Sequence, residues 1–362
     1  MSAYSPPKTK GRAKRAGLPL LLSLFIVCCA SIFFATASGA VAVPISVVAR
    51  ILLNPLPFIN FTGGDPTQEI IIMAIRLPRV LLAALIGGGL GMAGAALQAL
   101  FRNPMADPGI IGISSGGALA AVVAMASGLS AEHTLAFPIA TFLGALTTLL
   151  LVYGISGVNS IGAVRGRTTS AATLLLSGIA VGVFMGAVLS LILTRLNSSA
   201  ALREIFFWLM GGLDGRGWDH LKAALGPMLV GCIGLLFFSR DLNLLLLEGE
   251  EGAQALGMEI QFVQRSLMIL SALIIGAAVA ASGTVAFVGL IVPHIVRLII
   301  GPNHLRLLPA TFLAGAILLV AADLAARTLV APEELRLGTI TSLIGVPFFL
   351  YLLRKNRKRS FF

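Results

Sequence analysis

The sequence predicts an all-α protein that crosses a membrane many times, about ten, with an inverted internal repeat. Three observations carry this. The 362 residues are 57% hydrophobic and only 11% charged, with a mean hydropathy of +0.97. A soluble domain of this length carries about 25% charge. The apolar runs are continuous rather than alternating, which argues against a β-barrel. Finally, no charged residue occurs between Arg79 and Arg102, a stretch long enough to cross a bilayer.

A helical span needs about 20 apolar residues. Ten runs qualify, at 18–38, 78–101, 109–127, 135–156, 171–194, 222–238, 266–282, 286–300, 308–330 and 338–353. The first follows basic residues, as a signal peptide does. Its apolar stretch from Leu18 to Ala37 is too long for a leader core, so it reads as a retained helix. Forty glycines with only 7% aromatics fit helices that approach closely through small residues.

Charge follows topology. Lys8, Lys10, Arg12, Lys14 and Arg15 precede the first run, and Arg354, Lys355, Arg357, Lys358 and Arg359 follow the last. The positive-inside rule then places both termini in the cytoplasm and makes the number of spans even. Arg102, Arg165, Arg167, Arg240, Arg265, Arg297 and Arg306 fall on the same side. The chain divides into a basic tail (1–17), one membrane domain (18–355) and a short basic tail (356–362). The net charge of +11 therefore marks membrane orientation and not nucleic-acid binding.

Two connections are long enough to carry structure. Residues 195–221 contain Trp208 and Trp218 and read as a short amphipathic helix at the outer surface. Residues 239–262 are the most acidic stretch, with Asp241, Glu248, Glu250, Glu251 and Glu259, and read as a helix at the inner surface.

ALIGGGLGMAG (84–94) is similar to ALIIGAAVAASG (272–283), and the copies lie in the second and seventh runs, five spans apart. They therefore face opposite ways, the inverted arrangement seen in transporters. The repeat halves are about 76–194 and 264–353. Each copy is followed by a double-proline break, Pro104 and Pro108 in one half and Pro302 and Pro309 in the other. In the first break, Asn103 and Asp107 are expected to cap and shape a structural corner.

Several motifs point away from an enzyme. Gly89, Gly91 and Gly94 match a dinucleotide fingerprint, but they sit in an uncharged membrane run with no βαβ unit. Gly87 and Gly91, at GxxxG spacing, read instead as helix packing. No phosphate-binding GxxxxGK[ST] occurs, so any ATP chemistry lies on another chain. Cys28, Cys29 and Cys232 lie in apolar runs, and His133, His220, His294 and His304 are scattered, so neither metal nor nucleophile spacing arises.

Asp323, with Arg327 one turn on, is the carboxylate inside a span and forms a candidate intramembrane charge pair. It also supports a rival reading, an ion-coupled secondary transporter. Arg76 and Arg79 stand at the outer mouth of the second span, where bidentate pairing could seat an acidic partner.

With these residues in view, RLPRVLLAALIGGGLGMAGAALQALFRNPMADPGIIGISSGG resembles the second and third spans of the permeases of iron–siderophore, haem and cobalamin ABC importers. VAFVGLIVPHIVR (285–297), LGTITSLIGVPFF (337–349) and AQALGM (253–258) are similar to the same family, so the likeness covers roughly residues 70–355. It implies ten helices per subunit and a permease dimer, most simply a homodimer. It also implies two ATP-binding cassette subunits that hold ATP and magnesium, and a periplasmic binding protein, in the inner membrane of a bacterium.

The resemblance further implies binding-protein docking at Arg76, Arg79 and Arg327. ATPase coupling would fall at Glu248, Glu250, Glu251, Ala253, Leu256 and Gly257. The translocation path would be lined by the fifth and tenth spans, with Met185, Leu189 and Ser342 as candidates. Family frequency favours an iron–siderophore over haem or cobalamin. The 39–69 segment matches none of these motifs.

Overall fold

The computed structural model describes residues 17–39, 41–54, 65–107, 109, 112–129, 136–156 and 171–357. Both basic tails up to Arg15 and from Lys358, and Pro108, His133, Arg165 and Arg167, lie outside the described residues. Among the described residues the structure is helical, without strands.

In chain order the helices are α1 (Gly17–Ala37), α2 (Ile45–Leu53), α3 (Pro66–Leu100), α4 (Ile113–Ala126), α5 (Ala136–Ile155), α6 (Ala171–Arg195) and α7 (Ser199–Leu209). They continue with α8 (Trp218–Phe237), α9 (Ser239–Ala255), α10 (Ile260–Ser282), α11 (Val288–Ile300), α12 (His304–Thr328) and α13 (Leu337–Arg357). Each of the ten predicted spans is occupied by a helix. Seven are long and apolar enough to cross a membrane, and three are shorter, Ile113–Ala126, Val288–Ile300 and Leu337–Leu352.

The second span begins earlier than its apolar run. Asp65 caps its start by accepting from the Thr67 backbone N–H at 2.9 Å, and Pro66 follows at the first helical position. Residues Ile71–Arg76 form a π-helical turn just before Pro78. A proline ring presses on the carbonyl four residues back, here that of Ala74. The wider π turn gives that carbonyl room.

Helix α3 is the axis of the fold, and Val80, Leu82, Ile86, Ala93 and Ala96 are fully buried on it. Its glycines let other backbones touch it. A Cβ on Gly87 would lie 2.2 Å from the Gly315 carbonyl oxygen, and one on Gly91 2.6 Å from that of Thr311. As α3 advances from 87 to 91, α12 recedes from 315 to 311, so the pair is antiparallel. Gly94 meets the Gly289 carbonyl, where its Cβ would fall 2.0 Å away. Gln98 donates across the same contact to the Gly289 and Leu290 carbonyls, at 3.2 and 3.3 Å.

The two repeat copies, on α3 and α10, run in opposite directions. Helix α3 ends beside α9, with the Arg102 guanidinium against Gly249. Helix α10 starts from α9 and ends at the other face, where the Gly212 N–H donates to the Ser282 carbonyl at 2.8 Å. The break after the second copy is Gly283–Phe287, not the Pro302 and Pro309 expected from sequence. Pro302 sits in the turn before α12, and Pro309 lies inside that helix. The pattern missed this because the 283–287 break is made by a left-handed residue, Phe287 (φ 68°), and has no proline.

Its counterpart is Gly112 (φ 79°), and each left-handed residue opens a short helix, α4 or α11. Gly112 packs on Gly178 and Gly182 of α6, and Phe287 on Gly345 of α13, so the inverted halves repeat even this contact.

Both breaks re-enter the bundle. Asp107 and Gly109 line a small enclosed cavity together with Leu90, Val279 and Gly283. Leu90 is ten residues, roughly 15 Å, back along α3 from Leu100. The corner after α3 is exposed at Arg102 and Pro104 and then turns back alongside α3 towards Leu90. Within it, Asn103 Oδ1 accepts from the Met105 N–H at 2.9 Å and Asp107 Oδ1 from the Gly109 N–H at 2.8 Å.

Helix α7 forms as expected, but Trp208 is no interfacial anchor. It is buried, edge-on to Phe137 with ring centroids 5.4 Å apart. Trp218 is partly exposed and donates to the Met73 carbonyl at 2.8 Å.

Gly87→Leu is expected to part α3 from α12. Overpacking of this kind costs about 1–3 kcal/mol or more, and a lowered unfolding temperature with loss of the monodisperse peak in detergent would report it.

Candidate functional site

Two sites sit at opposite ends of the α3–α12 pair. The first is an ionic cluster. Asp323, 1% exposed, is held by α12, and Arg79, 8% exposed, by α3. Arg79 Nε donates to Asp323 Oδ1 at 3.1 Å, and Arg79 Nη2 forms an ion pair with the same oxygen at 3.0 Å. Arg327 Nε donates to Asp323 Oδ2 at 3.0 Å, one turn along the same helix. Each carboxylate oxygen thus faces a guanidinium. Arg79 Nη1 and Nη2 also reach Glu334 Oε1 and Oε2, at 3.1 and 2.8 Å, in a two-pronged pair. Glu334 lies on the loop between α12 and α13 and keeps 32% of its side chain exposed.

The remaining donors close the end of α1, whose last carbonyls have no partner within the helix. Arg327 Nη2 and Nη1 bind the Ala35 and Ser38 carbonyls, both at 3.0 Å. Arg76 Nη1 binds the Ala37 and Thr36 carbonyls at 2.9 and 3.4 Å, and its Nη2 binds the Val41 carbonyl. A cation is also favoured at a helix C-terminus. Arg76 and Arg327 are each 6% exposed, so neither presents a free guanidinium at the outer mouth as the sequence suggested. The predicted pair of Asp323 and Arg327 is present but belongs to a larger cluster.

Sequence reading missed Glu334, which lies 255 residues from Arg79. The only local signal was an acidic residue in a short loop. At the same end, burial pulls Arg216 below its usual guanidinium value, opposed by nearby Asp214. Arg216 Nη1 is 2.8 Å from His220 Nε2.

The second site is α9. Gly249 (φ 72°) breaks it into two short helices, because only glycine takes that conformation cheaply. Leu242, Leu245, Gly249 and Ala253 are buried against the bundle. Leu247, Glu248, Glu251, Leu256 and Gly257 point outward. Glu250 turns inward instead, accepting from Gln264 Nε2 at 3.0 Å.

The expected coupling residues therefore divide. Glu248, Glu251, Leu256 and Gly257 share the exposed face, while Ala253 is fully buried and cannot touch a partner, and Glu250 is tied to α10. Helical periodicity explains the split, since Gly249 and Ala253, four apart, share the inner face.

Both α3 and α12 are wired to α9. Arg102 covers Gly249, as noted. Asn243 Oδ1 accepts from the His304 backbone N–H at 2.8 Å, and Asn243 Nδ2 donates to Asn303 Oδ1 at 3.2 Å. Helix α9 thus meets the end of α3 and the start of α12 together, and the ionic cluster stands at their far ends.

The path candidates are not brought together. Ser342 lines an open groove of about 600 Å³ with Leu209, Met210, Thr284, Gly338 and Val346. Met185 and Leu189 lie on α6 outside that groove, and Leu189 packs against the core. Much of α6 and α13 is apolar and exposed, including Val183, Phe184, Leu191, Leu343 and Leu350. Among the described residues no group of His, Cys, Asp and Glu could hold a metal ion.

Apolar spans, an inverted repeat and a linked end helix define a multi-pass transport subunit rather than an enzyme. Comparison with known proteins gives the family. The model of the FecCD transport family matches residues 24–355, and the chain belongs to that family of ABC transporter permeases.

It is 44% identical over 306 residues to a cobalamin import system permease of Halobacterium salinarum, covering 84% of this chain and 78% of the relative. It is 42% identical over 301 residues to a hemin transport system permease of Yersinia pestis, covering 82% and 87%. A permease of Bacillus subtilis described only as an uncharacterized ABC transporter component is 41% identical over 332 residues, covering 90% and 91%. Among solved structures, an inward-facing metal-chelate-type ABC transporter superposes with a TM-score of 0.80 at 31% identity, covering 93% of this chain and 99% of that one.

Asp323→Ala leaves the Arg327 guanidinium without a carboxylate partner and Arg79 with Glu334 alone. Removing one partner of a buried pair costs about 3–5 kcal/mol, and thermal unfolding in detergent should show a fall that Thr328→Ala, on the exposed face of the same helix, does not.

Proposed function

We propose that this chain is the permease of a bacterial inner-membrane importer that carries a bulky metal chelate into the cytoplasm. The observation that carries the reading is α9, a kinked helix with an exposed acidic and apolar face, bonded to the start of α12 and packed against the end of α3. Two copies of the chain would meet through the apolar faces of α6 and α13 and enclose the path, with the Ser342 groove facing it. Two ATPase subunits would seat on Glu248, Glu251, Leu256 and Gly257, which makes the α9 end cytoplasmic and places both termini there.

A periplasmic binding protein would dock at the opposite end. The cluster there sets three guanidiniums against two carboxylates, so an acidic partner is favoured. Both oxygens of Asp323 are engaged by guanidiniums, so the carboxylate serves as their buried partner. This weighs against the ion-coupled reading.

The substrate we propose is cobalamin. Relatives named for cobalamin and haem support this over the iron–siderophore expected from sequence. In vesicles holding the permease, its ATPase and its binding protein, uptake of radiolabelled cyanocobalamin should require ATP and persist after the proton gradient is collapsed. Haemin and a ferric siderophore are the competing cargoes, and uptake that follows the gradient alone would overturn the reading.

Leu256→Asp and Glu251→Lys alter the exposed face without touching the buried one. Both should abolish co-purification of the ATPase and transport-coupled hydrolysis, while the permease itself keeps its unfolding temperature.

A further inference from the structure

An acidic partner needs a guanidinium with donors to spare, yet every arginine of the cluster is occupied. What occupies each one differs. Arg76 and Arg327 bind main-chain carbonyls at the end of α1. Releasing them would orphan those carbonyls in a buried site, which is costly. Arg79 Nε is held by Asp323, which is almost wholly buried, and Nη2 also lies 3.0 Å from that carboxylate. The two outer nitrogens of Arg79 bind Glu334 alone among side chains exposed at the surface.

The loop that carries Glu334 is fixed on either side of it. The Leu335 N–H donates to the Ala326 carbonyl at 2.9 Å, and the Glu333 N–H to that of Val330 at 3.1 Å. Arg336 stacks over Phe207, 4.1 Å from the ring centroid. The Glu334 carboxylate can therefore swing away by side-chain rotation while its backbone stays in place.

We propose that Glu334 is a stand-in for the docking partner's carboxylate. In the undocked chain it fills the Arg79 fork, and docking exchanges it for a carboxylate of the partner. This rests on the docking reading above. The exchange swaps one two-pronged pair for another, so no guanidinium is stripped bare in either state. It also keeps the association reversible, because Glu334 is at hand to recapture Arg79 on release. Of the three arginines, Arg79 is then the one whose pairing changes, while Arg76 and Arg327 fix the end of α1 beneath the docking surface.

The test uses the assembled importer in lipid nanodiscs and the binding protein encoded with it, with association followed by biolayer interferometry. Glu334→Gln and Glu334→Ala remove the competing charge and should tighten the Kd by about 2- to 5-fold, the span of an exposed ion pair. Most of the gain should appear in kon. Arg79→Lys keeps the charge for Asp323 but loses the fork, and should weaken binding in every background. Thermal unfolding confirms that each variant is folded. If Arg79→Lys weakens binding while both Glu334 variants bind unchanged or worse, docking stands and the exchange is overturned. If all variants bind as the parent does, Arg79 takes no part in docking, and the exchange is overturned along with that reading.

Discussion

The backbone contact between α3 and α12 is the constraint on which the rest of the molecule hangs. With Gly87 against the Gly315 carbonyl, the helices touch main chain to main chain. In lipid, helices associate through packing rather than hydrophobic exclusion, so such close approach supplies much of the cohesion. The same contact sets the register that brings Arg79 to Asp323 at one end. At the other end it sets Arg102 and His304 on α9. A shift of one residue between these helices would undo both.

The ionic cluster shows how charge is tolerated inside such a bundle. An isolated ion there is costly, but each group here is paired or bonded to carbonyls that lack a helical partner. Two arginines serve helix α1 as caps. That makes the cluster mostly architectural, with Glu334, paired to Arg79, as its solvent-facing member. The glycine break in α9 has a comparable logic at the other end. It turns the helix so that Ala253 faces the bundle while Leu256 faces out.

The inverted repeat is closer in three dimensions than in sequence. Gly112 and Phe287 adopt the same left-handed conformation, open helices of similar length, and rest on glycines of α6 and α13. Sequence similarity exposed the paired helices but misplaced the second break, because proline was used as its marker. Phenylalanine pays conformational strain at positive φ that glycine does not. Its half-buried ring packs against Gly345, where a side chain would not fit.

Hydropathy alone located all ten apolar helices, since water and lipid sort residues locally and the length of a span is fixed by the bilayer. The glycine spacing at Gly87 and Gly91 named the face that would be closely packed, and the acidic 248–259 stretch marked an end of the bundle. What hydropathy could not say is which partner each polar group finds. Whether Arg76 meets a protein, a headgroup or the carbonyls of α1 depends on residues about 40 positions away. Whether Arg79 is free depends on Glu334, 255 positions away. Those distances close only when the helices pack, and there the tertiary structure alone decided the roles of the charged residues.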